Sequence, residues 1–134
     1  MDIYADNILD HYRHPRNAGA LAMPSVRWNE VNVSCGDSLT LFMRIENDTI
    51  AEVRWEGTGC AISQAAMSLL SEELPGMTLS DAQAIVPSHV RDLLGVPVGT
   101  RRIKCAFLCL HALKNAIRSI KKVEPQDWAE TLRE

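Results

Sequence analysis

One feature constrains this chain more than any other: its hydrophobic period changes once, after Trp55. Before that point the pattern is two-fold. Residues 26–33 (VRWNEVNV) alternate apolar and polar, SCGD interrupts, 39–46 (LTLFMRIE) resume, NDT interrupts again, and 50–55 (IAEVRW) follow. Strands joined by such short turns pair only with their sequence neighbours and only antiparallel, because a parallel pair needs a crossover of about a dozen residues or more. The sequence therefore predicts a three-stranded antiparallel meander. After GTG the period becomes helical. In CAISQAAMSLLSEEL, Ile62, Ala65, Ala66 and Leu69 share one face until Pro75 and Gly76 end the run. TLSDAQAIV reads as a short helix capped by Thr78 or Ser80. PSHVRDLLG reads as another, with Ser88 as cap and Gly95 and Pro97 as terminator. Residues 101–122 form the longest predicted helix, with a short one at 126–133 and an N-terminal one over 2–14, stopped by Pro15, Asn17 and Gly19. The expected fold class is α+β: a three-stranded antiparallel meander packed against several helices in two layers.

The 134 residues suit a single domain, 1–134, large enough to bury a core unaided. A formal net charge of -3 argues against nucleic acid or an anionic membrane as the main partner. No apolar run approaches the roughly 20 residues of a membrane span. The N-terminus MDIYADNILDHYRHPRN lacks the basic-then-apolar order of a signal peptide. The expected location is cytoplasmic. Thiols stay reduced there, so the four cysteines read as metal-binding or reactive rather than as disulfides.

Three of them sit at element junctions. Cys35 lies in the turn SCGD, two residues before Asp37, with Gly36 permitting a tight bend. Cys60 opens a helix after GTG, where exposed N–H groups favour a thiolate, and Gly57 and Gly59 let the backbone approach a bulky centre. Cys105 falls in the first turn of the long helix beside Arg101, Arg102 and Lys104, surroundings that also favour a thiolate. On a helical wheel Ile103, Phe107, Leu110, Leu113 and Ile117 form one stripe. Cys109 sits at its edge as a small core residue, and Cys105 lies further round on a more polar side. His111, six residues after Cys105, points about 120° away from it and is a poor ligand candidate. The spacing contains no C-x-x-C, P-loop, G-x-S-x-G or H-E-x-x-H motif. Three thiols and one carboxylate supply four donors, enough for tetrahedral zinc or a small iron–sulfur centre. A hard carboxylate among soft thiolates holds a cluster less firmly than four cysteines, which suits a site that releases its contents.

Taken together, the motifs resemble those of the iron–sulfur cluster assembly scaffolds of the IscU, SufU and NifU N-terminal type. ILDHYRHPRNAG is similar to the family's N-terminal signature, and SCGD, GTGCAIS and IKCAFL to its three cysteine motifs, in order and over nearly the whole chain. The resemblance implies that Cys35, Cys60 and Cys105 hold a nascent 2Fe–2S cluster, or iron or zinc when no cluster is present, with Asp37 as fourth ligand. It implies a cysteine desulfurase as sulfur donor, Cys105 or alternatively Cys35 as persulfide acceptor, apo-proteins or a carrier as recipients, and leaves a homodimer open. The chain would be an assembly scaffold rather than an enzyme. The alternative is a zinc-dependent sulfurtransferase of the SufU type that relays persulfide.

Two departures qualify the match. IscU-like members carry histidine immediately before the third cysteine. Here it is Lys104, as in SufU-like members, which leaves the fourth ligand to Asp37 and suggests that Lys104 pairs with Asp37 and modulates its access. The chaperone-recognition segment LPPVK is replaced by GVPVGTRRIK, which argues against a dedicated Hsp70 pair. Yet Cys60 and Cys105 stand 45 positions apart, the compact IscU-like spacing, so the chain is a hybrid on these markers.

Overall fold

The computed structural model describes residues 3–134. Asp2, where the sequence pattern opens the first helix, lies outside the described residues. The element order is α1 (Ile3–Arg13), β1 (Val26–Asn32), β2 (Asp37–Glu46), β3 (Thr49–Thr58), α2 (Ala61–Glu73), α3 (Leu79–Gln83), α4 (Pro87–Leu94), a single 3-10 turn (Thr100–Arg102), α5 (Ile103–Ile120) and α6 (Trp128–Thr131). The strands form one antiparallel sheet in the order β1-β2-β3, with the helices packed against it, as the meander pattern predicts.

Two strands are longer than their hydrophobic pattern. β2 begins at Asp37 rather than residue 39, because Asp37 and Ser38 pair with Asn32 and Val31 of β1. β3 runs on to Thr58, with Gly57 opposite Leu39 and Thr58 opposite Ser38. Polar residues carry these ladder ends, so alternation of apolar residues could not mark them. Strand parity then decides what each side chain faces. Side chains two apart share a face, and Asp37, Leu39, Leu41 and Met43 are all buried beneath the helices. Asp37 is thus the first inward-facing residue of β2.

The helices rest on ordinary signals with one exception. Thr78 caps α3 by accepting from the Asp81 N–H at 3.0 Å. Gly95, in the left-handed region at φ 68°, ends α4. Ser88 does not cap α4: Val86 is the N-cap and Pro87 takes the first helical position, where its missing N–H costs nothing. α6 is capped by Asp127, which accepts from the Glu130 N–H, and is shorter than 126–133.

α5 departs from the one-stripe reading. Every residue from Cys105 to Leu113 is buried, because β1 and β2 cover one side, α2, α3 and α4 another, and α6 the start of what would otherwise be its wet face. A helix covered on all sides needs no polar face. Cys105 is accordingly buried, contrary to the polar side expected for it.

Candidate metal centre

The β1–β2 turn supplies the first two candidate ligand positions. Both the Cys35 and Gly36 N–H groups donate to the Asn32 carbonyl, at 3.2 and 2.8 Å, and Gly36 completes the bend at φ 73°. This leaves Cys35 exposed and delivers Asp37, two residues on, to the buried face. Cys105, arriving from the first turn of α5, meets them there. The Cys35 thiol, an Asp37 oxygen and the Cys105 thiol all lie within 4.8 Å of one another.

Cys60 stands outside that mutual distance but borders the same cavity of about 450 Å³, lined also by Gly59, Arg101 and Arg102. It is tied to the group through its backbone: the Cys60 N–H donates to Asp37 Oδ1 at 3.3 Å. The second carboxylate oxygen, Asp37 Oδ2, is buried and has no hydrogen-bond partner among the described residues. A buried, unpaired carboxylate oxygen costs several kcal/mol unless something cationic completes it. With two soft thiolates beside it, the donor set fits zinc or iron.

Gly59 makes the arrangement sterically feasible. A Cβ at that position would stand 2.4 Å from Asp37 Oδ1 and 2.7 Å from Ser63 Oγ. Gly57 serves a different end from the approach to a centre that the sequence suggests. Its absent Cβ would meet the Ser38 carbonyl at 2.8 Å, so it lets β3 close on β2.

The cysteines differ sharply in electrostatics. Burial pushes the Cys60 thiol up, but the N–H groups of Ser63 and Ile62 at the start of α2 outweigh it, so its pKa lies below the ordinary value. Cys60 is the N-cap residue of α2 and its thiol makes no cap hydrogen bond, so the amides act through their dipoles. Cys105 goes the other way. Burial first, then the Asp37 carboxylate and the neighbouring thiols, push its pKa far up. The basic run Arg101, Arg102 and Lys104 does not lower it: these side chains are exposed and Cys105 is not. Of these two, Cys60 gives up its proton more readily than Cys105.

Lys104 does not pair with Asp37 in this structure. Its ammonium stands over the Trp128 ring of α6, 5.7 Å from the centroid. His111 stacks on the same ring with centroids 4.1 Å apart, and its Nδ1 shares a 2.6 Å hydrogen bond with Thr131 Oγ1. It belongs to a core network and not to the metal site. Cys109 is fully buried, its thiol pushed up to about 12 by burial. Sequence reasoning missed Asn32, which is buried and whose Nδ2 lies 4.0 Å from Cys105 Sγ. Its pairing with Asp37 across the ladder was the available signal, visible only once the register was known.

Residues 3–126 match the family model of the NifU-like N terminal domain. The chain is 30% identical over 132 residues to the zinc-dependent sulfurtransferase SufU of Bacillus subtilis, an alignment covering 86% of this chain and 89% of that one. It is 33% identical over 122 residues to the iron–sulfur cluster assembly scaffold protein IscU of Azotobacter vinelandii, covering 88% and 94%. The crystal structure of a NifU-like N-terminal protein from Brucella abortus superposes with a TM-score of 0.76 over 90% of this chain and 95% of that one, at 22% identity, which supports the fold.

Proposed function

Because the chain belongs to the NifU-like N-terminal domain family, we propose that it is a scaffold on which iron and sulfur are assembled into a labile 2Fe–2S cluster and then passed to apo-proteins. The observation that carries this reading is Asp37: one of its carboxylate oxygens lies within 4.8 Å of two thiols, and its buried Oδ2 has no hydrogen-bond partner among the described residues. Cys35, Asp37, Cys60 and Cys105 are the proposed ligands. Cys35 and Asp37 come from a turn and a strand end, Cys60 from a helix start and Cys105 from inside α5. One ligand is exposed and one is hard, so the cargo is held by a set that opens at the turn.

Sulfur arrives from a cysteine desulfurase. Of the two acceptors suggested by resemblance, exposure favours Cys35 over Cys105. A donor persulfide must touch the accepting sulfur, and Cys35 is exposed while Cys105 is only 2% exposed. Cys60, with its thiol held below the ordinary pKa, is the residue prepared to take iron or zinc first.

The second reading, a zinc-dependent sulfurtransferase, is favoured by Lys104 in place of histidine and by the exposed Cys35. Anaerobic reconstitution with ferrous iron, cysteine and a desulfurase separates the two. The scaffold reading expects a visible-absorbing cluster that transfers to an apo-ferredoxin and is lost in Asp37→Ala or Cys60→Ser. If the protein instead keeps zinc, forms no chromophore and only accelerates the desulfurase, the sulfurtransferase reading replaces it.

A further inference from the structure

Cys35 borders a second cavity. This one, of about 340 Å³, lies between the β1–β2 turn, the segment from Thr100 to Lys104 and the chain just after α6. Cys35 and Arg101 are the two residues that line both cavities. The lining is mixed. Arg101 and Lys104 are exposed cations, and among the described residues neither forms an ion pair, although the Lys104 ammonium also stands over the Trp128 ring. Ile103 and Leu132 are partly buried apolar surface, and Asn32 is a buried amide. The one thiol among the lining residues is that of Cys35.

We propose that this second cavity binds a low-molecular-weight thiol bearing a carboxylate, and that the bound thiol takes sulfur from Cys35. The transfer step rests on the sulfur-receiving role of Cys35 given above; the binding step does not. Two cations beside a small apolar wall suit a carboxylate on a short aliphatic body. The volume is that of a small-ligand pocket, and Leu132 walls it on the side of the chain's last turn. The reaction needs no outside oxidant or reductant. The ligand thiolate attacks the outer sulfur of Cys35–S–SH, a new S–S bond forms on the ligand, and the old one breaks. Cys35 leaves as its thiolate, and the ligand departs as a persulfide that keeps the proton. Sulfur on Cys35 then has two outlets: inward to the metal cavity, or outward to a diffusible carrier.

Binding is tested first with S-methylglutathione, which has the carboxylates but no free thiol, on the full chain. The expected result is saturable binding with amide shifts at Ser34, Thr100 and Leu132, weakened about fivefold in Lys104→Gln, the upper range for one exposed charge pair, and blocked in Leu132→Trp. Absence of saturable binding, or equal affinity in Lys104→Gln, would overturn the site, whatever Leu132→Trp does to folding. Transfer is tested next on protein charged by desulfurase and freed of cysteine. Release of sulfur should saturate with glutathione but rise linearly with 2-mercaptoethanol, and Lys104→Gln should raise the glutathione half-saturation about fivefold. Linear dependence on both thiols would overturn the transfer step. If S-methylglutathione binds but Cys35 never charges, it is the proposed function that fails, and the site stands.

Discussion

Replacing Gly59 with alanine tests whether Asp37 is a ligand whose place is set by its neighbour. The added Cβ would meet Asp37 Oδ1 at 2.4 Å, where ordinary contact begins at 3.4 Å. Something must retreat by about 1 Å, and a ligand bond tolerates only about 0.2 Å. The atoms in the way all belong to side chains, Asp37 Oδ1 and Cγ and Ser63 Oγ, so the carboxylate must move, and the φ of 157° at this position adds backbone strain that lowers stability as well. Disturbing a supporting neighbour of a metal site typically costs about 10- to 100-fold in affinity, and Gly59→Ala should weaken zinc binding by that amount. The assay is competition against a chromophoric chelator, with far-ultraviolet circular dichroism as the check on folding. The cycle with Asp37→Ala isolates the cause. If the clash acts through the carboxylate, Gly59→Ala adds less than about threefold once Asp37 is already gone. Gly57→Ala is the control. Its obstacle is the Ser38 backbone carbonyl at 2.8 Å, so it should lower the melting temperature while sparing affinity in the molecules that remain folded. Unchanged affinity in folded Gly59→Ala, or full additivity with Asp37→Ala, would refute the reasoning.

Cys109, buried and with its thiol pushed up to about 12, should resist iodoacetamide in the native metal-free protein while Cys35 reacts, as read by peptide mass spectrometry. Cys109→Ser should keep metal stoichiometry. His11 and His111 have pKa values held below 6.5, chiefly by burial, so the unfolded chain binds protons more readily than the native one. Metal-free protein should therefore lose stability as pH falls through about 6.5, and level off once it passes below the native pKa values, as measured by urea midpoints between pH 8 and 5. Thr78→Ala removes the cap of α3 and should cost about 1 kcal/mol in the same urea assay.

The meander and the order of helices were legible because each rests on a local rule: alternation for strands, short turns for antiparallel pairing, and capping or terminating residues for helices. The three junction cysteines were legible for the same reason. What escaped was set by register. Asp37 and Asn32 read as turn and strand-end residues, yet they pair across the ladder and both lie beneath the helices. Nothing polar in alternating positions announces that a strand has already begun. The roles of the two glycines were likewise hidden, since an absent Cβ has meaning only against the atom it would have struck. Ser88 misled because a serine near a helix start is a good cap, and Pro87 one position earlier fits the first helical turn still better.

The electrostatics of the three cysteines show where linear proximity fails as a physical argument. Arg101, Arg102 and Lys104 flank Cys105 in sequence, and charge within a few residues ordinarily lowers a thiol pKa. Those charges sit in water, where they are screened, and Lys104 is drawn off to the Trp128 ring. The Cys105 sulfur is instead buried against a carboxylate and two other thiols, so desolvation leads, the Asp37 and Cys35 side chains add to it, and its pKa rises. Cys60 has no cation beside it in sequence, yet the first amides of α2 bring its pKa down. The helix start lowers a thiol pKa and the basic run does not, because amide dipoles are fixed and partly desolvated whereas lysine and arginine ends choose the solvent. A three-cysteine site built this way begins unequal. Cys60 has a lowered pKa, Cys35 is exposed, and Cys105 is buried with a raised pKa.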